Sequence, residues 1–528
     1  MNFDGKTFFF PLHLAIAALL VPLVSASAQS TKQQVPAVTA QTLEKQSDTR
    51  REEKINDIEL LKTQMERLQS LVEQQQRALA DLQRRLDEAD AKTQAAVVPV
   101  GSSRTDGTVR VSPDLRPASL EAGQAPKSAP PATPAASQDK PAVVAGWDKN
   151  HAFLRSTDGS FETQITGYGQ LDFRGYQSGD HPPNTFLIRR ARLAVEGKLA
   201  RYFDYKLEGD FADTASTLLR DFYVNIHRID EIQLRFGQFR VPISQEEIRT
   251  DSYQDFVERS MVNNLVPSRS PGFMVSGAIN KGDTSIINTA QFEYQVGLFN
   301  GKGLLASNNN GTPETAIRLR FAPWKNGKQF ISKGFIFGGA FTQGRSLGGT
   351  SVRGQTESRS FTFFTPDTIN GKYIRANGEM TWLLGPAVLR AEYDQTNQRR
   401  ENLGVAGRNL PGVVAKGYSA QFTYLLTGED KPEAGTTTPR KNLFGDSSGK
   451  QGFGAWELKF RYANLQVADG TAKSNRAESF YFGPNWYLNR FLRYMLDLGF
   501  ERFKDPARSP KPGDRNFFVV LSRIQVAF

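Results

Sequence analysis

The chain has 528 residues, 66 Lys and Arg against 55 Asp and Glu (formal net charge +11), no cysteine, and 37 Phe, 15 Tyr and 5 Trp. Absence of cysteine excludes disulfide staples, cysteine-held metals and thiol chemistry. A mean hydropathy of −0.46 excludes a bundle of many membrane-spanning helices, but not a transmembrane barrel, whose lumen-facing and lipid-facing residues alternate. The charge is uneven: residues 1–146 hold 17 basic and 17 acidic residues, and residues 147–528 hold 49 and 38, with 32 of those 49 being Arg. Such a surplus suits nucleic acid, a membrane surface or small anions.

In chain order, Lys6 precedes an apolar stretch from Phe8 to Val24, and Ala26-Ser27-Ala28 supplies a small-residue cleavage pattern. This predicts a signal peptide over 1–28 and export of the mature chain, which removes intracellular nucleic-acid roles. His13 and Pro22 inside the stretch argue against a retained membrane helix. A polar segment, 29–54, follows. Ile58, Leu61, Met65, Leu68, Val72, Gln75, Leu79, Leu82, Leu86 and Ala89 then keep a 3-4 spacing, which predicts a coiled coil within 55–92. From Ile58 to Ala89 that rod would reach about 48 Å. Gln75 is the polar break that can set register or oligomer state. Residues 93–146 are rich in Pro and Ala and read as an extended linker.

From Gln164 the period becomes two. In Tyr202–Asp213, Phe203, Tyr205, Leu207 and Phe211 oppose Asp204, Lys206, Glu208 and Asp210; in the strand near the end, Leu492, Tyr494, Leu496, Leu498 and Phe500 oppose Arg493, Asp497 and Glu501. About sixteen such runs are expected between Gln164 and Phe528, separated by clusters such as Asn308-Asn309-Asn310-Gly311 and Gly428-Glu429-Asp430. The fold class expected for 147–528 is an all-β transmembrane barrel of about sixteen antiparallel strands, with girdle aromatics such as Trp486 and Tyr487 and a terminal Phe528. The competing reading is a secreted sandwich or propeller, whose strands are usually shorter.

Several ordered segments resemble the phosphate-selective porin O and P family. They are Phe186-Leu187-Ile188-Arg189-Arg190-Ala191-Arg192-Leu193, Gly237-Gln238-Phe239-Arg240-Val241-Pro242, the run Gly417–Glu429, Trp456–Tyr462 and Asn485-Trp486-Tyr487-Leu488-Asn489. The resemblance covers about Phe161 to Phe528. It implies a trimeric, sixteen-stranded, anion-preferring outer-membrane porin whose third loop folds inward as a constriction. Partners expected on this reading are outer-membrane lipid, small anions such as phosphate and two further copies of the chain. The coiled coil is not part of the resemblance; placed in the periplasm, it adds the cell-wall peptidoglycan as an expected partner.

An anion pore needs fixed positive charge on a narrow lumen, and Arg, with its planar fork, suits phosphate. In the second strand, Leu187, Ala191, Leu193, Val195 and Leu199 are expected to face lipid, and Arg190, Arg192, Glu196 and Lys198 the lumen. Arg189 has the wrong parity, so a position near a rim, or a bulge turning it inward, is expected. The competing reading is that Arg190 and Arg192 merely salt-bridge lumen acids such as Asp172, Asp204 and Glu208. Residues 240–270 are the candidate constriction loop, with Arg240, Arg249, Arg259 and Arg269 against Glu246, Glu247, Asp251, Asp255 and Glu258. That balance is net negative by one and leaves phosphate specificity and general anion passage both open. Asp221 could shape pore polarity or serve a structural ion pair.

No cofactor or metal is expected. His151, His181 and His227 lack metal-ligand spacing. Gly301-Lys302-Gly303-Leu304-Leu305-Ala306 has no following helix that would make it a dinucleotide motif. No Gly-x-Ser-x-Gly elbow is present. A passive channel rather than an enzyme is expected. The alternatives are a general small-solute porin, or a barrel that anchors an envelope-binding rod.

Overall fold

The computed structural model describes residues 143–148, 151–177, 182–212, 218–281, 289–445, 451–471 and 473–528. The expected signal peptide, polar segment, coiled coil and the linker up to residue 142 lie outside the described residues, as does His181. In 147–528 the alternating runs become long strands because one face can meet lipid while the other lines an interior.

A short hairpin, β1 (Val143–Asp148) and β2 (His151–Ser156), comes first. The next strands are β3 (Glu162–Tyr176), β4 (Thr185–Leu199), β5 (Phe203–Asp210), β6 (Leu219–Ile229), β7 (Ile232–Arg240), β8 (Arg269–Ile279), β9 (Phe292–Phe299), β10 (Glu314–Phe321) and β11 (Phe335–Thr350). A small hairpin of β12 (Gly354–Gln355) and β13 (Thr362–Phe364) interrupts them. The remainder are β14 (Thr368–Leu384), β15 (Ala387–Arg400), β16 (Leu410–Leu425), β17 (Ala455–Ala468), β18 (Asn475–Tyr487), β19 (Leu492–Phe503) and β20 (Asn516–Ala527). Each strand from β3 on, setting the small hairpin aside, pairs antiparallel with the next. β20 returns to β3, from Val519 opposite Tyr176 to Ala527 opposite Tyr168. The result is a closed barrel of sixteen strands, which leaves no unpaired edge around the ring. Where β20 ends, β2 takes over the start of β3, with Ala152 opposite Ile165.

Two faces follow from the two-residue period. On β19, Met495, Asp497 and Glu501 are buried inward while Phe500 is exposed outward. Outward aromatics run across neighbouring strands: Phe292, Phe321, Phe337, Phe335 and Trp382 stand in ring contact in that order. Tyr487 departs from the expected girdle. It is buried, donates to Glu457 Oε2 at 2.7 Å, and leaves Trp486 to stack outward on Trp456. Arg399 and Arg400 end β15.

Arg189 sits in a bulge: Gln170 pairs with Arg190, but the next residue, Leu171, pairs with Ile188. The extra residue turns the Arg189 side chain inward and reverses the parity of the residues that precede it on β4. Phe186 and Ile188 therefore become the lipid-facing residues, strongly exposed, while Leu187 pairs with inward Asp172. Leu187 thus does not face lipid, as strict alternation had implied; Leu193 and Leu199, beyond the bulge, do.

Gly237 shows how tightly β6 and β7 approach. Its φ is +126°, and a Cβ there would fall 2.1 Å from the Phe222 carbonyl oxygen. Gly237→Val is expected to cost about 1–3 kcal/mol through strain. It should lower the temperature at which the purified barrel loses its compact gel mobility; an unchanged temperature would contradict the close approach.

Candidate functional site

The segment between β7 and β8, residues 241–268, runs inside the barrel. Ser244 starts it by accepting a hydrogen bond from the Glu247 backbone N–H at 3.1 Å, capping a one-turn helix, Gln245–Ile248. Gln245 then donates to the Met380 and Ala391 carbonyls on β14 and β15. Further along, Phe256, Val257, Met261, Val262 and Leu265 are almost wholly buried. They pack on the inward residues Val413, Ala415, Ala463, Leu465, Met495 and Leu521 of β16 to β20. One side of the interior is thus apolar and covered by this segment.

Three acids on the segment are gathered by cations from different directions. Asp251 meets Arg190 (3.2 Å) and Arg192 (2.7 Å) of β4, Arg240 (3.2 Å) of β7, and Arg259 (2.5 Å) of its own segment. Asp255 meets Arg249 (3.2 Å), Arg390 (2.9 Å) of β15, and Lys431 (2.7 Å) of the connection between β16 and β17. Glu258 meets Arg189 (2.6 Å), Arg359 (3.2 Å), Arg174, and at 3.9 Å Arg523 of β20. Burial alone would raise all three carboxyls. The surrounding cations outweigh it: Arg190, Arg259 and Arg192 hold Asp251 well below the ordinary carboxylate range. Lys431, Arg249 and Arg390 do so for Asp255, and Arg189, Arg359 and Arg174 for Glu258.

The eight residues nominated for anion binding all come to this interior. Arg189, Arg190, Arg192, Arg240, Arg249 and Arg259 each hold one or more of these acids. Arg192 also reaches Glu208 (3.3 Å) and Asp210 (2.8 Å), while Arg269 holds Asp221 (2.8 Å) and Glu208 (3.3 Å). Of the other acids weighed as partners for Arg190 and Arg192, Asp172 pairs with Arg523 and Arg174, and Asp204 with His227. The nominated arginines are therefore bound to carboxylates rather than bare.

Two cavities lie beside the segment. One, of about 170 Å³, is lined by Lys206, Glu208, Asp221, Tyr223, Arg235, Phe239, Arg240 and Arg269 among others. It shares Lys206, Glu208 and Thr250 with a second cavity of about 340 Å³, which reaches His151 and Phe528. Arg235 escaped the sequence reading. Its guanidinium lies 4.4 Å from the Tyr223 ring centre and 5.5 Å from that of Phe239, and it has no ion pair among the described residues. The alternation of Ile232, Leu234 and Phe236 with Gln233 and Arg235 carried the signal. Two further insertions also went unread. The connection 351–367 contributes Arg359 and Glu357, the latter 2.7 Å from Arg461, and the connection 426–454 contributes Lys431 and Glu433.

Asp251→Asn would leave several buried arginines short of a counter-charge, at a cost of about 3–5 kcal/mol. A lowered unfolding temperature checks this. Because the three carboxyls are depressed in the folded state, their contribution is present above the ordinary carboxylate range and lost as pH falls through the folded values. The margin in unfolding temperature of the wild type over Asp251→Asn should therefore change little from pH 7 to 5 and shrink only below about pH 4.

Residues 164–528 match the family described as phosphate-selective porin O and P. Porin O of Pseudomonas aeruginosa is 20% identical over 415 residues, which cover 71% of this chain and 90% of that protein. Similar solved structures include an anion-selective porin from Comamonas acidovorans, at 13% identity and a TM-score of 0.42, covering 69% of this chain and 100% of the other. Another is the outer-membrane expressed OmpT of Vibrio cholerae, at 10% identity and a TM-score of 0.45, covering 70% and 98%. The family match begins inside β3 and runs through the closing strand to Phe528, so it takes in the whole ring. The chain belongs to the phosphate-selective porin O and P family and is an outer-membrane porin.

Proposed function

We propose that the protein is a passive channel for small anions, narrowed by segment 241–268. The observation that carries the reading is the cavity beside that segment. Lys206, Arg235, Arg240 and Arg269 face it against the acids Glu208 and Asp221. That surplus of fixed positive charge in a narrow, low-dielectric passage attracts anions and repels cations. A second surplus lies where Glu258 and Asp172 are met by Arg174, Arg189, Arg359 and Arg523. Phosphate is one permeant the family description supports. The geometry favours general anion passage, because most of the forked guanidinium groups are already occupied by carboxylates, whereas Arg235 is left to a solute.

The remaining parts follow the sequence. Residues 1–28 direct export, 55–92 form a periplasmic coiled coil that matches three barrels in a trimer, and 93–146 tether it to the barrel domain at 147–528. The rod is the part that contacts the cell wall, and no solute is chemically altered.

In planar bilayers under a salt gradient, the purified protein should give an anion-selective reversal potential. Selectivity should shrink toward 1 M salt, where the screening length is about 3 Å. Arg235→Ala should shift the potential several-fold toward non-selectivity, while Arg235→Lys should retain most of it, since one charge is kept. A cation-selective wild type, or an unchanged potential in Arg235→Ala, would overturn the reading.

A further inference from the structure

A basic pocket lies on the outer wall of the barrel, away from the lumen. It encloses about 190 Å³ and is lined by Arg476, Glu478, Arg502, Phe503, Lys504 and Arg515. On β18 the outward residues are Arg476, Glu478, Phe480 and Phe482; on β19 they include Leu498, Phe500 and Arg502. Arg476 and Arg502 therefore belong to the lipid-facing rows, not to the pore. Arg476 is paired with Glu478 at 3.1 Å. Arg502, Lys504 and Arg515 have no ion pair among the described residues, so the pocket carries unbalanced positive charge.

Its height on the barrel is marked by two neighbouring features. Directly below, Phe480, Phe500 and Phe518 pair in register across β18, β19 and β20, all exposed outward, and Tyr462 adjoins Phe480 with ring centres 4.7 Å apart. A row of outward aromatics marks the membrane–water interface. The pocket also sits at the end of the barrel opposite the start of β3 and the end of β20. At that latter end several turns are minimal, as between Ile229 and Ile232 or Leu384 and Ala387, which is the periplasmic habit of such barrels. The pocket thus stands just above the aromatic row on the external leaflet, at headgroup depth.

A lone Arg on the lipid face costs free energy unless an anion compensates it. We propose that this pocket binds the phosphate groups of an outer-leaflet glycolipid, with Arg502, Lys504 and Arg515 as the phosphate ligands and the Phe480–Phe500–Phe518 row against its acyl chains. Forked guanidinium groups suit phosphate oxygens, and acyl contact restricts the site to a lipid rather than a free ion.

The test uses the full-length protein in detergent and native mass spectrometry with diphosphorylated lipid A, the same lipid without phosphates, and inorganic phosphate as a competitor. The expected result is retained binding of the phosphorylated lipid, weakened at least about tenfold in Arg502→Glu/Lys504→Glu/Arg515→Glu. Arg508→Glu/Lys511→Glu, in the same connection but ion-paired to Asp505 and Asp514, should bind like wild type. Unchanged bilayer conductance of the triple variant shows that the barrel still forms; if conductance is lost, single charge reversals at Arg502 and at Arg515 replace it. Equal binding of the phosphate-free lipid, equal binding by the variants, or full displacement by millimolar inorganic phosphate would each overturn the proposal.

Discussion

The interior of this barrel is organised by three carboxylates on one segment. Asp251, Asp255 and Glu258 face different walls, so their cations reach them from β3, β4, β7, β15 and β20 and from two other connections. A buried charge without partners is costly, and the many cations gathered at three acids make the position of the segment close to obligatory. The apolar contacts of Phe256, Met261 and Leu265 with β16 to β20 work in the same direction. Between them they leave the opposite wall, around Lys206, Arg235 and Arg269, as the side with open volume.

This arrangement changes what the arginines mean. Arginine richness alone suggests an exposed anion ladder. Here the guanidinium groups of Arg189, Arg190, Arg192, Arg240, Arg359 and Arg390, among others, serve as anchors for a segment that is itself net negative. Fixed ion pairs of this kind set a passage's shape as well as its charge, since no partner can move without uncovering another. The bulge at Arg189 belongs to the same design: one extra residue brings a further guanidinium to Glu258 that strict alternation would have put in lipid.

The ring of strands was legible because a two-residue period sustained over long runs demands one wet face and one apolar face, and Asp204 to Asp210 or Arg493 to Glu501 follow it closely. Local parity failed where a bulge intervened, at Leu187. At Tyr487 parity held: adjacent residues of a strand face opposite ways, so Tyr487 turns inward beside outward Trp486, and the girdle expectation for both had set the alternation aside. The inward segment was recognisable from its length and irregularity, and its charged residues lie among those of the barrel wall. Their pairing was not legible, because Asp251 with Arg190, or Asp255 with Lys431, are contacts between distant parts of the chain that only barrel closure creates. Arg235 was missed for the opposite reason: it lies on an ordinary strand and stands out only once its neighbours prove to be paired.

Because the chain has no cysteine, the seating of the inward segment can be measured directly. A Cβ at Gly417 on β16 would lie 3.2 Å from a Val262 methyl carbon, close enough for a disulfide between introduced cysteines. The pair Val262→Cys and Gly417→Cys should cross-link on mild oxidation with single-channel conductance and reversal potential unchanged from the reduced protein. Failure to cross-link in a folded barrel, or a cross-link that closes the channel, would contradict a segment held permanently against that wall beside an open passage.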